Sequence, residues 1–267
     1  MDDPQIPEAF TSAIGLGIPR GYYPVKKSYR WASLVACLVL LGGAVLVFLY
    51  GIYVTYLAYE LHGPAMIDDK LTGPSVVAFI MFGFGLLAGW GAYTNWKKGV
   101  AVFESGFAYK DRKGLQTWRW EDILSMTSAI TRHYHNGIYT GTTHVYTLLN
   151  RQHQKLVLAD SFTRVEEIAA AVETNIFPLM YPRAADQYNA GQMLGFGPVA
   201  ISKQGLTIGK KTYPWTDVKE VSIHQGRLKV SRKDGGWFSG ASAAVSVIPN
   251  LHVLLAIIQQ VVGLKAG

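Results

Sequence analysis

Two long uncharged runs constrain what this chain can fold into more than any other feature. No charged residue occurs between Trp31 and Tyr59, or between Leu71 and Trp96. About 20 apolar residues suffice to cross the hydrocarbon core of a bilayer, and tyrosines and tryptophans, which favour membrane–water interfaces, flank both runs. The runs therefore predict two transmembrane helices, 31–59 and 71–96, within a membrane segment spanning residues 31–98.

The distribution of charge around these runs predicts their orientation. Basic residues precede the first run, Lys97 and Lys98 follow the second, and the connecting loop 60–70 carries three acidic residues against one lysine. Loops rich in Lys and Arg stay on the cytoplasmic side. The sequence therefore predicts a multi-pass protein of the cell (inner) membrane, with a helical hairpin and both termini in the cytoplasm.

Neither run carries an ionisable group of the kind that ion pathways and proton relays require at membrane depth. This favours an anchor, or a surface that packs against other membrane subunits, over a transporter. Gly85 and Gly89 have the spacing that lets membrane helices approach closely, although glycines are also simply common in such helices.

Composition limits the remaining possibilities. The formal net charge is +7, for which anionic headgroups are a simpler counter-surface than nucleic acid, so no nucleic-acid partner is expected. The single cysteine, Cys37, excludes a disulfide within the chain and a cysteine metal site. Residues 1–30 contain four prolines and no sustained period, which predicts an irregular cytoplasmic segment.

The rest of the chain contains an internal repeat. Residues 100–109 and 199–208 each read as strand, glycine, strand, with Gly106 and Gly205 in equivalent places. A tryptophan motif follows each, WRWEDI at 118–123 and YPWTDV at 213–218. Short β-type segments and then one amphipathic helix complete each half. We therefore expect one domain over 99–182, a linker over 183–198 and a second domain over 199–267.

This pattern resembles the bacterial membrane-associated pleckstrin-homology-like proteins, in which transmembrane helices precede a domain with an aliphatic-Pro-Trp element. The resemblance implies a membrane-anchored α+β fold with two curved antiparallel sheets, each closed by a C-terminal helix. It covers about residues 99–263, and the first motif lacks the proline. Trp120 and Trp215 are expected to fill the core as structural residues.

The resemblance also implies lipid or protein binding. Lipid-binding members hold phosphates with basic residues in the first hairpin loop, and the matching positions here are Lys110, Arg112 and Lys113 in the first copy, and Lys210 and Lys211 in the second. A solvated basic loop near anionic headgroups is the alternative interpretation.

No enzyme signature or cofactor fingerprint is present, so no catalytic residue and no cofactor is expected. His133, His135, His144 and His153 lie close together in the sequence, but no acidic or cysteine ligand has a useful spacing. Asn136-Gly137 is a hairpin turn signal, so an exposed histidine-rich tip is expected, with no metal site.

Together these features favour a non-enzymatic membrane-anchored interaction or scaffold protein, an accessory or assembly subunit of a larger membrane complex. Its expected partners are membrane lipids and other membrane subunits or further copies of itself. The alternative is a module that binds or senses anionic lipid headgroups at the cytoplasmic surface.

Overall fold

The computed structural model describes residues 6–233 and 240–262 of an α+β protein with two long apolar helices and antiparallel sheets. Residues 1–5 of the predicted N-terminal segment, and 234–239 and 263–267 of the predicted second domain, lie outside the described residues. The described chain forms two compact units. The hairpin unit comprises residues 24–100 and 109–115, and the β unit comprises the described parts of 1–23, 101–108 and 116–267.

The two predicted apolar helices are present. Helix α1 runs Lys27–His62 and α2 runs Met66–Trp96, and both are long and apolar enough to span a membrane. Most of their large apolar side chains are exposed, which is the reverse of a soluble core helix. The predicted loop 60–70 is mostly helical, since α1 extends to His62 and α2 begins at Met66, which leaves only residues 63–65 between the helices.

The helical hairpin is an insertion within a β-sheet. Strands β1 (Pro19–Pro24), β2 (Gly99–Phe103), β3 (Gly106–Asp111) and β4 (Gly114–Arg119) form one sheet in that order. Glu104 N–H donates to the carbonyl of Ile18 at 3.1 Å, and Ser105 N–H donates to that of Leu16 at 2.9 Å, so β1 and β2 run antiparallel. The two helices therefore occupy the connection between neighbouring strands.

Part of the predicted irregular segment 1–30 has regular structure instead. Residues Glu8–Leu16 form a 3₁₀ helix that buries Phe10, and β1 follows as an edge strand of the first sheet. Phe10 meets the ring of Tyr22 edge-on, with centroids 5.5 Å apart. Short strands such as PRGYYP lack clear alternation, and their pairing is decided by a partner far along the chain.

A second, three-stranded sheet and a helix follow. The sheet contains β5 (Ile123–His135), β6 (Ile138–Asn150) and β7 (Lys155–Ala159), and α3 runs Val165–Asn189. Only residues 145–149 of β6 pair with β7, whereas β6 pairs with β5 over nearly its whole length. Beyond β7 the β5–β6 hairpin is therefore a two-stranded ribbon.

The second half has the same order of elements. Strands β8 (Leu194–Phe196), β9 (Val199–Ile201), β10 (Gly205–Ile208) and β11 (Lys211–Pro214) form a four-stranded sheet. Strands β12 (Val218–His224), β13 (Arg227–Arg232) and β14 (Ala241–Ala244) form a three-stranded sheet, and α4 runs Leu251–Val262.

Each half thus has two separate sheets where one curved sheet was expected. The break falls at the tryptophan motif, where a 3₁₀ turn at Trp120–Asp122 and a turn at residues 215–217 end the first ladder of each half. Trp120 indole N–H donates to the Glu104 carbonyl, and Trp215 indole N–H donates to the Ser202 carbonyl, each at 2.8 Å. These paired bonds fix the corner between the two sheets.

The expected linker over 183–198 is structured. Helix α3 continues to Asn189, and β8 then joins the second sheet. The first turns of α3 bury Val165, Ile168 and Val172, whereas later residues of α3, among them Tyr188, pack into the core of the second half. Helix α3 therefore packs into the cores of both halves and connects them directly, in place of the expected linker.

Candidate functional site

The most distinctive surface of the hairpin unit lies where the helices meet the strands. In an antiparallel sheet the β1–β2 and β3–β4 connections leave from the same end. The first connection is the helical hairpin and the second is the turn at Arg112 and Lys113. The topology therefore explains why this basic turn belongs to the same compact unit as the helix ends.

Three cations in this region contact three aromatic rings. The Arg112 guanidinium lies 4.7 Å from the Trp90 ring centroid, Lys97 Nζ lies 4.7 Å from that of Tyr93, and the Arg30 guanidinium lies 5.9 Å from that of Trp96. Lys97 also donates a hydrogen bond to the Tyr93 hydroxyl at 2.9 Å. We call these six residues the basic collar.

The rings of the basic collar remain open to the surroundings. Trp90, Tyr93 and Trp96 are each at least half exposed, and Trp31 meets Trp96 edge-on with centroids 6.5 Å apart. Contact with a ring face uses none of the N–H donors of a guanidinium, so Arg112 keeps its fork of donors for an oxyanion. An aromatic layer topped by cations matches the boundary between hydrocarbon and headgroups.

The β3–β4 turn presents its charges in a defined conformation. Asp111 Oδ1 accepts a hydrogen bond from the Lys113 N–H at 2.7 Å, which closes the turn. Arg112 and Lys113 are exposed, and Lys110 is half-buried. Burial, with a smaller contribution from Asp111, raises the pKa of the neighbouring Tyr109. The one acidic residue of the turn therefore orders its backbone.

Lys210 and Lys211 belong to the β unit. They are exposed at the turn between β10 and β11, where Gly209 adopts a φ of 61°. Among the charged residues beside them, Arg232 lies 3.6 Å from Asp217 in an exposed ion pair. Among the described residues, neither lysine of this second turn lies over an aromatic ring as Arg112 does.

Gly85 and Gly89 lie against α1. A Cβ on Gly85 would stand 2.7 Å from Leu41 Cδ2, and one on Gly89 would stand 3.0 Å from Cys37 Sγ. A Cβ on Gly83 or on Gly91 would meet no atom within 4 Å. The two glycines of the predicted motif therefore allow close approach inside the hairpin.

The four histidines of the first half have separate environments. His133 shares a 2.7 Å hydrogen bond with Thr143, His135 is exposed at the ribbon tip, and His153 occupies a turn with a φ of 58°. His144 Nδ1 lies 3.2 Å from Asp160 and 3.1 Å from Glu166. These carboxylates are 16 and 22 residues away in the sequence, so spacing along one strand could not reveal them.

No curated protein matches the chain. A family model described as a family of unknown function, DUF6585, matches residues 10–265. That match covers both described units, including the strand before the helices and the second half of the β unit. The chain therefore belongs to the DUF6585 family.

Proposed function

We propose that this protein is a non-enzymatic, membrane-anchored module that binds anionic lipid headgroups through the basic collar and the adjoining β3–β4 turn. The observation that carries this proposal is the contact of Arg112, on that turn, with Trp90 near the end of α2. It supports a location for the turn at the level of the headgroups, where a guanidinium and a phosphate attract one another strongly.

Charge asymmetry along the hairpin unit supports the same orientation. The collar end carries eight basic residues, at 26, 27, 30, 97, 98, 110, 112 and 113, against Asp111. The opposite end has Glu60 and Asp68 near the turn between the helices. A positive end on the cytoplasmic side, with the short turn outside, follows the positive-inside rule.

We further propose that the two halves are tandem pleckstrin-homology-like modules. The common order of four strands, three strands and a helix supports this, as do the equivalent tryptophan bonds. In the pleckstrin-homology-like proteins the basic residues lie in the first hairpin loop. Here the basic turn joins the third and fourth strands, and the helical hairpin occupies the first connection. The lipid proposal therefore depends on the collar contacts.

The test compares lipid binding by the intact chain and by a charge-reversed turn. The full-length protein in nanodiscs or mild detergent is titrated with phosphatidylglycerol and with phosphatidylcholine, and bound lipid is counted by native mass spectrometry. Reversing Lys110, Arg112 and Lys113 to glutamate should weaken the preference for phosphatidylglycerol by about tenfold or more, since each basic residue near a surface contributes about 1 kcal/mol.

The matched control reverses Lys210 and Lys211, which are exposed on the other unit. The preference should survive this change. An unchanged preference in the triple variant would contradict the proposal. An equal loss in the control would also contradict it, because the effect would then reflect net charge alone.

The ribbon formed by β5 and β6 favours a second function, docking of a protein partner. All residues from 130 to 140 are exposed, including Ile130, Tyr134, Ile138 and Tyr139, and a two-stranded ribbon is only marginally stable in water. The segment 123–159 has no acidic residue, whereas it carries two arginines, one lysine and the four histidines. This matches a membrane-protein subunit with an apolar, acidic surface.

Affinity purification of the full chain in mild detergent tests this second function. A double variant, Ile138→Ser with Tyr139→Ser, removes the apolar tip without touching the residues paired with β7. A stoichiometric membrane subunit that accompanies the wild type and is lost from this variant would support docking through the ribbon. The same set of proteins with both chains would exclude it.

A further inference from the structure

Three side chains with metal-ligating atoms converge at one corner of the β unit. His144 lies on β6 just beyond the residues that pair with β7, Asp160 follows β7, and Glu166 lies in the first turn of α3. In the part of the chain that the structure describes, they form the one such group with ligand atoms all within 4.8 Å of one another.

The imidazole faces both carboxylates with the same nitrogen. His144 Nδ1 lies 3.2 Å from Asp160 Oδ1 and 3.1 Å from Glu166 Oε1. Asp160 is held in place because its second oxygen, Oδ2, accepts the backbone N–H of His144 at 2.7 Å. One ring nitrogen carries only one proton, so its N–H can donate one well-aligned hydrogen bond but not two.

The two inner ligands are also fixed by their surroundings. The side chains of His144 and Asp160 are 19% and 16% exposed, whereas that of Glu166 is 53% exposed. The His144 ring stacks on Tyr146 with an interplanar angle of 9° and centroids 6.4 Å apart. Packing of this kind holds a ligand in a productive rotamer before any ion arrives.

The local charge balance calls for a further cation. The carboxylates of Asp160 and Glu166 both lie within 3.2 Å of one imidazole nitrogen. Arg164, which directly precedes α3, is engaged elsewhere, since it lies 3.3 Å from Glu167 and over the ring of Tyr23. A protonated His144 would neutralise one carboxylate, whereas a divalent ion would neutralise two.

We propose that His144, Asp160 and Glu166 bind a divalent transition-metal ion of the zinc type. Imidazole nitrogen with carboxylate oxygen is a donor set that suits zinc, with bonds of about 2.0–2.2 Å. Ligands at that distance in tetrahedral or octahedral geometry stand roughly 3.0–3.4 Å apart, which agrees with the two separations from Nδ1. Three protein ligands leave a further position for water.

This site would join three elements that are distant in the sequence. The ion would connect β6, the segment after β7 and the start of α3, and so stabilise the first half at the base of the ribbon. The ligands belong to the β unit, whereas the basic turn belongs to the hairpin unit. Metal binding and lipid binding can therefore fail independently.

Metal binding by the full-length protein in detergent tests the proposal. After removal of any histidine tag and treatment with a chelator, the protein is titrated with zinc chloride by calorimetry, with magnesium chloride as a comparison. We expect one zinc ion per chain and a rise in melting temperature of about 5 °C at saturation. X-ray absorption should show a mixture of nitrogen and oxygen ligands near 2.0–2.1 Å.

Variants identify the ligands. His144→Ala and Asp160→Asn should each weaken zinc binding at least about tenfold, and Glu166→Gln, which alters a half-exposed side chain, removes a ligand with little risk to folding. The controls His133→Ala and Glu167→Gln change neighbouring groups of the same types and should bind zinc as the wild type does. Sub-stoichiometric zinc, or equal binding by all five variants, would overturn the proposal.

Discussion

At the scale of single residues, two glycines and two tryptophans occupy equivalent positions in the two halves. A Cβ on Gly106 would overlap the Trp118 carbonyl oxygen, and one on Gly205 would overlap the Tyr213 carbonyl oxygen. The backbone N–H of Trp120 donates to Ser105, and that of Trp215 donates to Gln204. The two halves therefore share a close backbone approach at the glycine and a hydrogen bond from the backbone N–H of the tryptophan.

Replacing Gly106 or Gly205 with alanine should lower the free energy of unfolding by about 1–3 kcal/mol, because the new methyl group must displace backbone. Denaturant titration of the full chain measures this. Gly195→Ala serves as the control, since a Cβ there meets nothing within 4 Å. Equal stability of all three variants would contradict the close approach.

His252 gives a pH-dependent prediction. Burial lowers its pKa below the ordinary 6.5, and its Nε2 is buried with no hydrogen-bond partner. The unfolded state then binds more protons as the pH falls through 6.5, so the contribution to stability is fully present above that pH and is lost below it. The free energy of unfolding should therefore fall between about pH 7.5 and pH 5.5.

The variant His252→Phe should make that decrease smaller, because no proton can bind in its unfolded state at this position. The exposed His224, replaced in the same way, provides the comparison. An identical pH dependence for wild type and His252→Phe would show that another group is responsible.

At the scale of elements, the helical hairpin depends on small residues at contact points. Gly51 lies against Pro74, Gly43 against Met81, and Gly89 against Cys37. Close approach of helix backbones increases van der Waals contact, which supports association of helices in a bilayer. The lone cysteine provides a direct measure of this approach.

The variant Gly89→Cys should form a disulfide with Cys37. The ideal Cβ at position 89 stands 4.0 Å from Cys37 Cβ, within the range of about 3.5–4.5 Å that disulfides show. Mild oxidation followed by intact mass measurement should show loss of about 2 Da per chain without dimer formation. Gly91→Cys, where nothing lies within 4 Å, should stay reduced or link two chains.

At the scale of the whole molecule, one side chain joins the two halves of the β unit. Asn250, just before α4, accepts the N–H of Met126 at 2.9 Å and donates to the Leu124 carbonyl at 3.0 Å. Its own N–H donates to the Met126 carbonyl at 2.8 Å. The second half is thereby bonded directly to β5 of the first.

Replacing Asn250 should uncouple the halves. Asn250→Gly keeps the left-handed backbone, at a φ of 50°, and removes only the side-chain bonds, so it should cost about 1–3 kcal/mol. Asn250→Ala adds backbone strain and should cost more. Calorimetry should show a broader or divided unfolding transition, whereas a single unchanged transition would show that the side chain of Asn250 does not couple the halves.

Sequence patterns identified some of these elements and missed others. The apolar runs and the repeated glycine and tryptophan positions have local signals, since each depends on residues within one element. The strand β1 and the group around His144 have none, because β1 pairs across the inserted hairpin and Asp160 approaches His144 across a ladder. The tryptophan motif is visible in the sequence, whereas its role as the break between two sheets depends on strand pairing.

The sequence by itself determined that this chain has two helices apolar enough for a membrane, an excess of basic residues at one end of them, and two similar halves. Those properties depend on composition and short-range period, which a linear chain displays directly. Only the tertiary structure decided that the helices lie in the connection between two neighbouring strands of one sheet, that Arg112 contacts Trp90, and that two carboxylates lie beside His144. Contacts of this kind join residues far apart in the chain, and they exist only once long-range strand pairing has brought those residues together.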